Sequence, residues 1–162
     1  MRAFTHLNAL LSALAVAAAP NQARQAVSGQ HGTIVSPTAD SSISPGEDFS
    51  FDYRQRNWCN AGYSPITVWL TDYEPTTTDL DSNGRFPEGH YTYFFGNFVK
   101  PNFGLPPLSG TPLPPSTLNL PALDGIVSGG TLYLSVVELG RDCPPGGVPP
   151  QYALTETSLV VQ

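Results

Sequence analysis

The chain has 162 residues and a formal net charge of −6, yet only 12% of its residues are charged, well under the usual quarter of a soluble protein. Its basic residues past the N-terminus, Arg24, Arg54, Arg56, Arg85, Lys100 and Arg141, are scattered. Nucleic-acid binding, which needs a basic patch to neutralise phosphates, is therefore excluded, and attraction to anionic lipid is disfavoured. Seventeen prolines and fifteen glycines cut the chain into short segments, which favours strands and loops over helices.

Met1–His6 is a short basic start, and an apolar run from Leu7 to Ala19 follows it, interrupted by Asn8 and Ser12. A basic start, a Leu/Ala core and small residues at its end describe a secretory signal peptide over residues 1–19, cut after Ala18 or Ala19. The run is too short to span a bilayer, which takes about 20 apolar residues. An N-terminal core helix is the plainer alternative, but Ala17-Ala18-Ala19-Pro20 leads straight into polar coil. Removal of the leader leaves about 143 residues, enough for one domain. Residues 20–30 carry no period and read as a mobile lead-in, with a single domain over 31–162. No polar spacer and hydrophobic tail follow Thr155 to Gln162, so no glycolipid anchor is expected. The product is expected to be secreted, extracellular and free of a membrane anchor.

The first strand is expected over Gly32–Ser36. After turn material at Asp40–Gly46, Phe49, Phe51 and Tyr53 alternate with Ser50, Asp52 and Arg54, the period-two pattern of a half-buried strand. Ile66 to Tyr73 repeats it, with Ile66, Val68 and Leu70 on one side and Thr67, Trp69 and Thr71 on the other. Glu74 to Gly89 is an acidic, Thr-rich loop. Tyr91 to Val99 is aromatic and β-prone, and Gly96 within it signals a bulge or close packing. Pro101 to Pro115 holds six prolines and three leucines, which predicts an extended crossing with little backbone pairing. Thr117–Leu120, Leu132–Val137 and Tyr152–Val161 complete the series. About seven short strands separated by turns predict an all-β immunoglobulin- or fibronectin-like sandwich, with a small β-barrel as the alternative.

Cys59 and Cys143 are the two cysteines. In an exported chain they are expected to form a disulfide, closing a loop of about 85 residues and stabilising by roughly 4 kcal/mol in the chain-entropy model. Free thiols or a metal pair are the rival readings, although a structural zinc site wants four ligands.

Catalytic patterns are sparse. No Gly-x-Ser-x-Gly motif is present, and His31 and His90 are the imidazoles beyond the leader. Asp72 and Glu74 could form a carboxylate pair at a strand end, but no substrate cleft is legible around them. Asp79-Leu80-Asp81-Ser82-Asn83-Gly84 is half of a calcium loop without the closing glutamate, and reads first as a turn. A copper site at His31 would need a second cut after Gln30. No cofactor and no metal are expected, and the chain is expected not to be an enzyme. Tyr91, Tyr93, Phe94, Phe95, Phe98 and Phe103 remain as candidates for stacking on a sugar or anchoring a protein, against the plainer reading that each is core.

Gly89-His90-Tyr91-Thr92-Tyr93-Phe94-Phe95-Gly96-Asn97-Phe98, Pro101-Asn102-Phe103-Gly104 and Pro115-Ser116-Thr117-Leu118-Asn119-Leu120-Pro121 form the most distinctive blocks. Together with Ile34–Pro37, Pro45–Tyr53 and Leu132–Val137, they resemble the necrosis-inducing secreted protein family of fungal effectors, in the same order over most of the chain. The Cys59–Cys143 pair and the Asn57–Tyr63 insert depart from that pattern. The opening Ile-x-Ser-Pro, Pro-Gly and alternating aromatics also resemble the immunoglobulin-like fungal cell-wall domain of the killer-toxin-resistance, glucan-synthesis type. The first resemblance implies delivery to a host, where members bind receptor-associated kinases, interfere with immune signalling and provoke cell death. On that reading Gly89–Gly104 supplies the partner surface, with Tyr91, Tyr93, Asn102 and Phe103 as binding residues. The second implies a glucan-associated structural or carbohydrate-binding protein.

Overall fold

The computed structural model describes residues 26–123, 125–141, 143 and 149–162. The leader and the first residues of the lead-in lie outside the described residues. Among the described residues, ten strand segments and one short 3-10 turn make up the regular structure: β1 Ala26–Val27, β2 Thr33–Ser36, β3 Ser41–Ile43, β4 Asp48–Ser50, β5 Asp52–Arg54, β6 Tyr63–Thr71, β7 Tyr93–Pro101, β8 Thr117–Asn119, β9 Thr131–Gly140 and β10 Gln151–Val161. The protein is all-β. Among the described residues no helix is long and apolar enough to cross a membrane.

β7, β6, β9 and β10 form the main sheet in that order, antiparallel throughout. Beyond β10 lie two short parallel partners, β1 against Gln151–Tyr152 and β3 against Leu159–Val161. Ala26 and Val27, expected within a mobile lead-in, are thus paired. Two further ribbons, β2–β5 and β4–β8, are antiparallel pairs of their own.

Period-two alternation builds the core. Ile66, Val68 and Leu70 of β6, Leu132, Leu134 and Val136 of β9, and Leu159 and Val161 of β10 share one face of the main sheet. There they meet Phe51, Tyr53, Leu118 and Leu120 from the ribbon side. Each such side chain contributes about 1.5–3 kcal/mol relative to leaving it in water. The run expected as one strand from Phe49 to Tyr53 is split: β4 pairs β8, β5 pairs β2, and buried Phe51 sits between them. A single chain segment therefore feeds both ribbons, with the Phe51 N–H bonded to the Ser116 carbonyl at 2.8 Å.

The other face of the sheet is covered too. Trp69, Val137 and Leu154 lie beneath Leu80 and Phe86 of the 72–92 connection, so the acidic, Thr-rich loop carries two buried apolar anchors. Trp69 packs edge-on to Phe86 and Tyr91 and tilted on Phe94, with ring centroids 5.6, 4.8 and 4.1 Å away. The β6–β7 register shifts between Val68 and Trp69, opposite Phe95–Gly96, where Gly96 has φ 144°, a value that favours glycine. A bulge there turns Phe94 towards Trp69 while Tyr93 and Phe95 pack on the first face.

Cys59 and Cys143 are disulfide-bonded, and both are buried. Gly140 is the reason the bridge fits. A Cβ there would lie 2.4 Å from the Trp58 ring and 2.5 Å from the Cys59 sulfur, so glycine alone allows the segment that holds Trp58 and Cys59 to rest on the end of β9.

Candidate functional site

Three arrangements have the polarity or exposure that function requires. The first is a buried carboxylate. Glu138 follows Leu132, Leu134 and Val136 in the inward phase of β9 and is 2% exposed. Tyr53 Oη donates to its Oε2 at 2.7 Å, and the Arg56 and Gly32 backbone and the Ser64 hydroxyl stand near enough to favour its charged form. Gly32 N–H donates in turn to Tyr53 Oη at 3.0 Å, and a side chain at Gly32 would collide with the same phenol. Burial pushes the Glu138 carboxyl above its ordinary range, and the Tyr53 bond with the polar groups of Arg56, Ser64 and Gly32 pulls it back only in part. Burial and the neighbouring Glu138 raise the Tyr53 phenol as well. Tyr53 therefore stays a neutral donor, and the cluster ties the β2–β5 ribbon to the main sheet.

Asn102 belongs to the same polar interior. It is 4% exposed, and its Nδ2 donates to the Ala61 carbonyl at 2.7 Å and to Ser64 Oγ at 3.1 Å. Its Oδ1 accepts from Gln55 Nε2 at 2.7 Å. An Asn102 expected at the partner surface is therefore a buried positioning residue. The turn it anchors closes with Leu105 N–H on its carbonyl at 3.0 Å, and the two central residues, Phe103 and Gly104, have φ 54° and 72°. That strained left-handed pair pushes Phe103 into solvent.

The second arrangement is the crossing that this turn begins. Phe103 is 67% exposed, Leu105 39%, Leu108 45% and Leu113 45%, a density of exposed apolar side chains that marks interaction sites. The crossing is held rather than loose: Tyr63 Oη donates to the Pro106 carbonyl at 3.1 Å, and Val99 N–H to that of Pro112 at 3.0 Å. Between it and β5 runs a groove of about 440 Å³, lined by Phe51, Asp52, Tyr53, Lys100, Leu113 and Pro115 among others. The Lys100 ammonium donates to the Tyr53 carbonyl at its edge.

Tyr91 and Tyr93 do not join Phe103. Tyr91 is half-buried against Trp69 on the second face, and Tyr93 half-buried against Phe95, with ring centroids 5.0 Å apart, on the first. β7 then carries the chain roughly 26 Å, at about 3.3 Å per residue, before Phe103 is reached. Gly89–Gly104 is thus three separate environments.

The third arrangement is a smaller cavity of about 200 Å³ on the second face, between β6, β7 and the 83–85 turn. That turn is the half calcium loop of the sequence, and its acids are engaged by the backbone. Asp81 Oδ1 accepts from the N–H groups of Asn83 and Arg85 at 2.8 and 2.9 Å, and Asp79 Oδ2 from Thr76 N–H at 2.6 Å. Among the described residues no three His, Cys, Asp or Glu side chains stand together as a metal site.

Glu138 and the exposed leucines of the crossing escaped the sequence reading, which did name Phe103. A glutamate in the apolar phase of a strand is the signal for the first; the exposure of Leu105, Leu108 and Leu113 has none. No family model matches the chain, and neither does any curated protein or solved structure.

Proposed function

We propose that this is a small secreted, effector-like protein that acts by binding a host protein and performs no catalysis. The exposed apolar crossing from Phe103 to Leu113 carries this reading. Four large apolar side chains stand in solvent on a proline-rich segment, which has little conformational freedom left to lose on binding, and segments of this kind are recognised by aromatic-lined grooves. The disulfide suits an oxidising compartment, in keeping with the signal peptide expected over residues 1–19. The partner class, a receptor-associated kinase at the host surface, rests on the resemblance to the fungal effector family. We read the fold as an immunoglobulin-like sandwich, with the main sheet as one layer and the two ribbons as the other.

Pull-down from host extract with wild type and with the pair of variants Phe103→Ala and Leu108→Ser tests the reading. Both side chains stand in solvent, so stability should change by less than about 0.5 kcal/mol, while partner recovery should fall about tenfold or more if these are anchors. Recovery of the same partner by both folded variants would remove the crossing from the site. Enrichment on insoluble glucan with no protein partner would move the protein to the cell-wall reading.

A further inference from the structure

The cavity on the second face has a chemistry distinct from the crossing. Its floor is apolar, formed by Pro65, Val99, Val137, Leu139 and Tyr152. Gly84 closes one wall, where a side chain would strike the Tyr152 ring at 2.0 Å, so the backbone of the turn and the phenol ring lie flush. None of the residues lining it is acidic, although the whole chain carries thirteen acids.

Its rim offers donors. The Arg85 guanidinium lies 5.8 Å from the Trp69 ring centroid and 5.6 Å from that of Phe94. Cation–π attraction keeps the guanidinium beside these two rings, and among the described residues the Arg85 side chain makes no hydrogen bond or ion pair. Thr67 Oγ1 accepts from Trp69 Nε1 at 2.7 Å, which leaves the hydroxyl proton to donate elsewhere. Asn97 is exposed at the same rim. A site with an apolar floor, an unpaired guanidinium and spare donors complements an acceptor-rich anion on an apolar body, and a planar fork matches a carboxylate best.

We propose that this cavity binds a small carboxylate with an aryl or short alkyl body, the body on the Val137–Leu139–Tyr152 floor and the carboxylate on Arg85. Its volume, compared with about 30 Å³ for each water of liquid, admits a molecule of roughly seven to ten non-hydrogen atoms.

Titration of the labelled protein with benzoate, phenylacetate and hexanoate, with benzamide as the neutral control, and readout by amide and indole chemical shifts tests the proposal. Saturable shifts are expected at the Trp69 indole and at the amides of Thr67, Gly84 and Asn97. Arg85→Gln should weaken carboxylate binding about tenfold or more, the size of a lost charge-assisted contact, and leave benzamide unaffected. Asn97→Asp, at an exposed position that does not endanger folding, should abolish carboxylate binding by like-charge repulsion and spare benzamide. Absence of saturation up to ~10 mM, a useful lower bound of affinity, would overturn the site. Benzamide binding as tightly as benzoate, or unchanged benzoate affinity in either folded variant, would overturn the anionic assignment.

Discussion

Glu138 stands where a leucine or valine would continue β9, and the protein surrounds it with donors instead of a counter-charge. Folding raises the affinity of this carboxyl for its proton. Its contribution to stability is therefore complete below the unfolded-state pKa and is lost as pH rises through the raised folded-state value. The urea midpoint of wild type should gain on that of Glu138→Gln as pH is lowered from about 8 towards about 5. Parallel profiles would show that another group titrates. Tyr53→Phe removes one donor from Glu138 and strands the Gly32 N–H, so it should cost about 1–3 kcal/mol in urea unfolding at neutral pH. Neither residue was visible as a partner in the sequence, because Tyr53 and Glu138 are 85 positions apart and nothing local announces a bond between them. Asn102 was visible, but its burial was not. An asparagine two residues before a glycine reads as an exposed turn residue, and here the amide points inward to Ala61 and Ser64 while its neighbour Phe103 takes the solvent.

Strands β6, β9 and β10 were legible because Ile66, Val68 and Leu70, then Leu132, Leu134 and Val136, alternate without interruption and face one buried layer. The same criterion misread Phe49 to Tyr53. Alternation reports which face is buried and not which neighbour supplies the hydrogen bonds, so a change of partner at Phe51 leaves no mark in the pattern. Glu74 to Gly89 is a loop as expected, but its two buried residues were not legible: Leu80 and Phe86 are isolated among acids and carry no period, and their burial depends on Trp69 waiting beneath. Gly140 tests the contact between the 55–62 segment and β9 directly. Gly140→Ala would force the new methyl into Trp58 and the Cys59 sulfur, with an expected loss of about 1–3 kcal/mol from overpacking. An unchanged melting temperature would mean that the 55–62 segment lifts away from the strand without cost.

At the scale of the molecule, one sheet is covered on both faces, by two ribbons on one side and a long loop on the other, and one disulfide fastens the 55–62 segment to the far end. All-β architecture and the Cys59–Cys143 bridge followed from composition and the cysteine count. The arrangement of ten segments into one large sheet and two ribbons did not, because strand order is set by pairings distant in sequence. Replacing both cysteines with serine removes a cross-link 84 residues wide and should lower stability by about 2–5 kcal/mol, a loss that reductant should reproduce in wild type and leave absent in the variant. Equal stability of the two proteins would show that Trp58 and Gly140 alone hold the segment.

β10 touches the earliest described residues of the chain as well as β9: Ala26 and Val27 at one end, Ser41 to Ile43 at the other. The sheet is consequently incomplete until residues 151–161 have been made. At a synthesis rate of ~5–20 residues per second, the segments before them wait on the order of ten seconds with their apolar faces uncovered. During that interval the chain has no closed core to resist being drawn through a narrow pore. A topology whose first and last described strands meet leaves the nascent chain dependent on whatever shields Ile66, Val68 and Leu70 until their cover arrives.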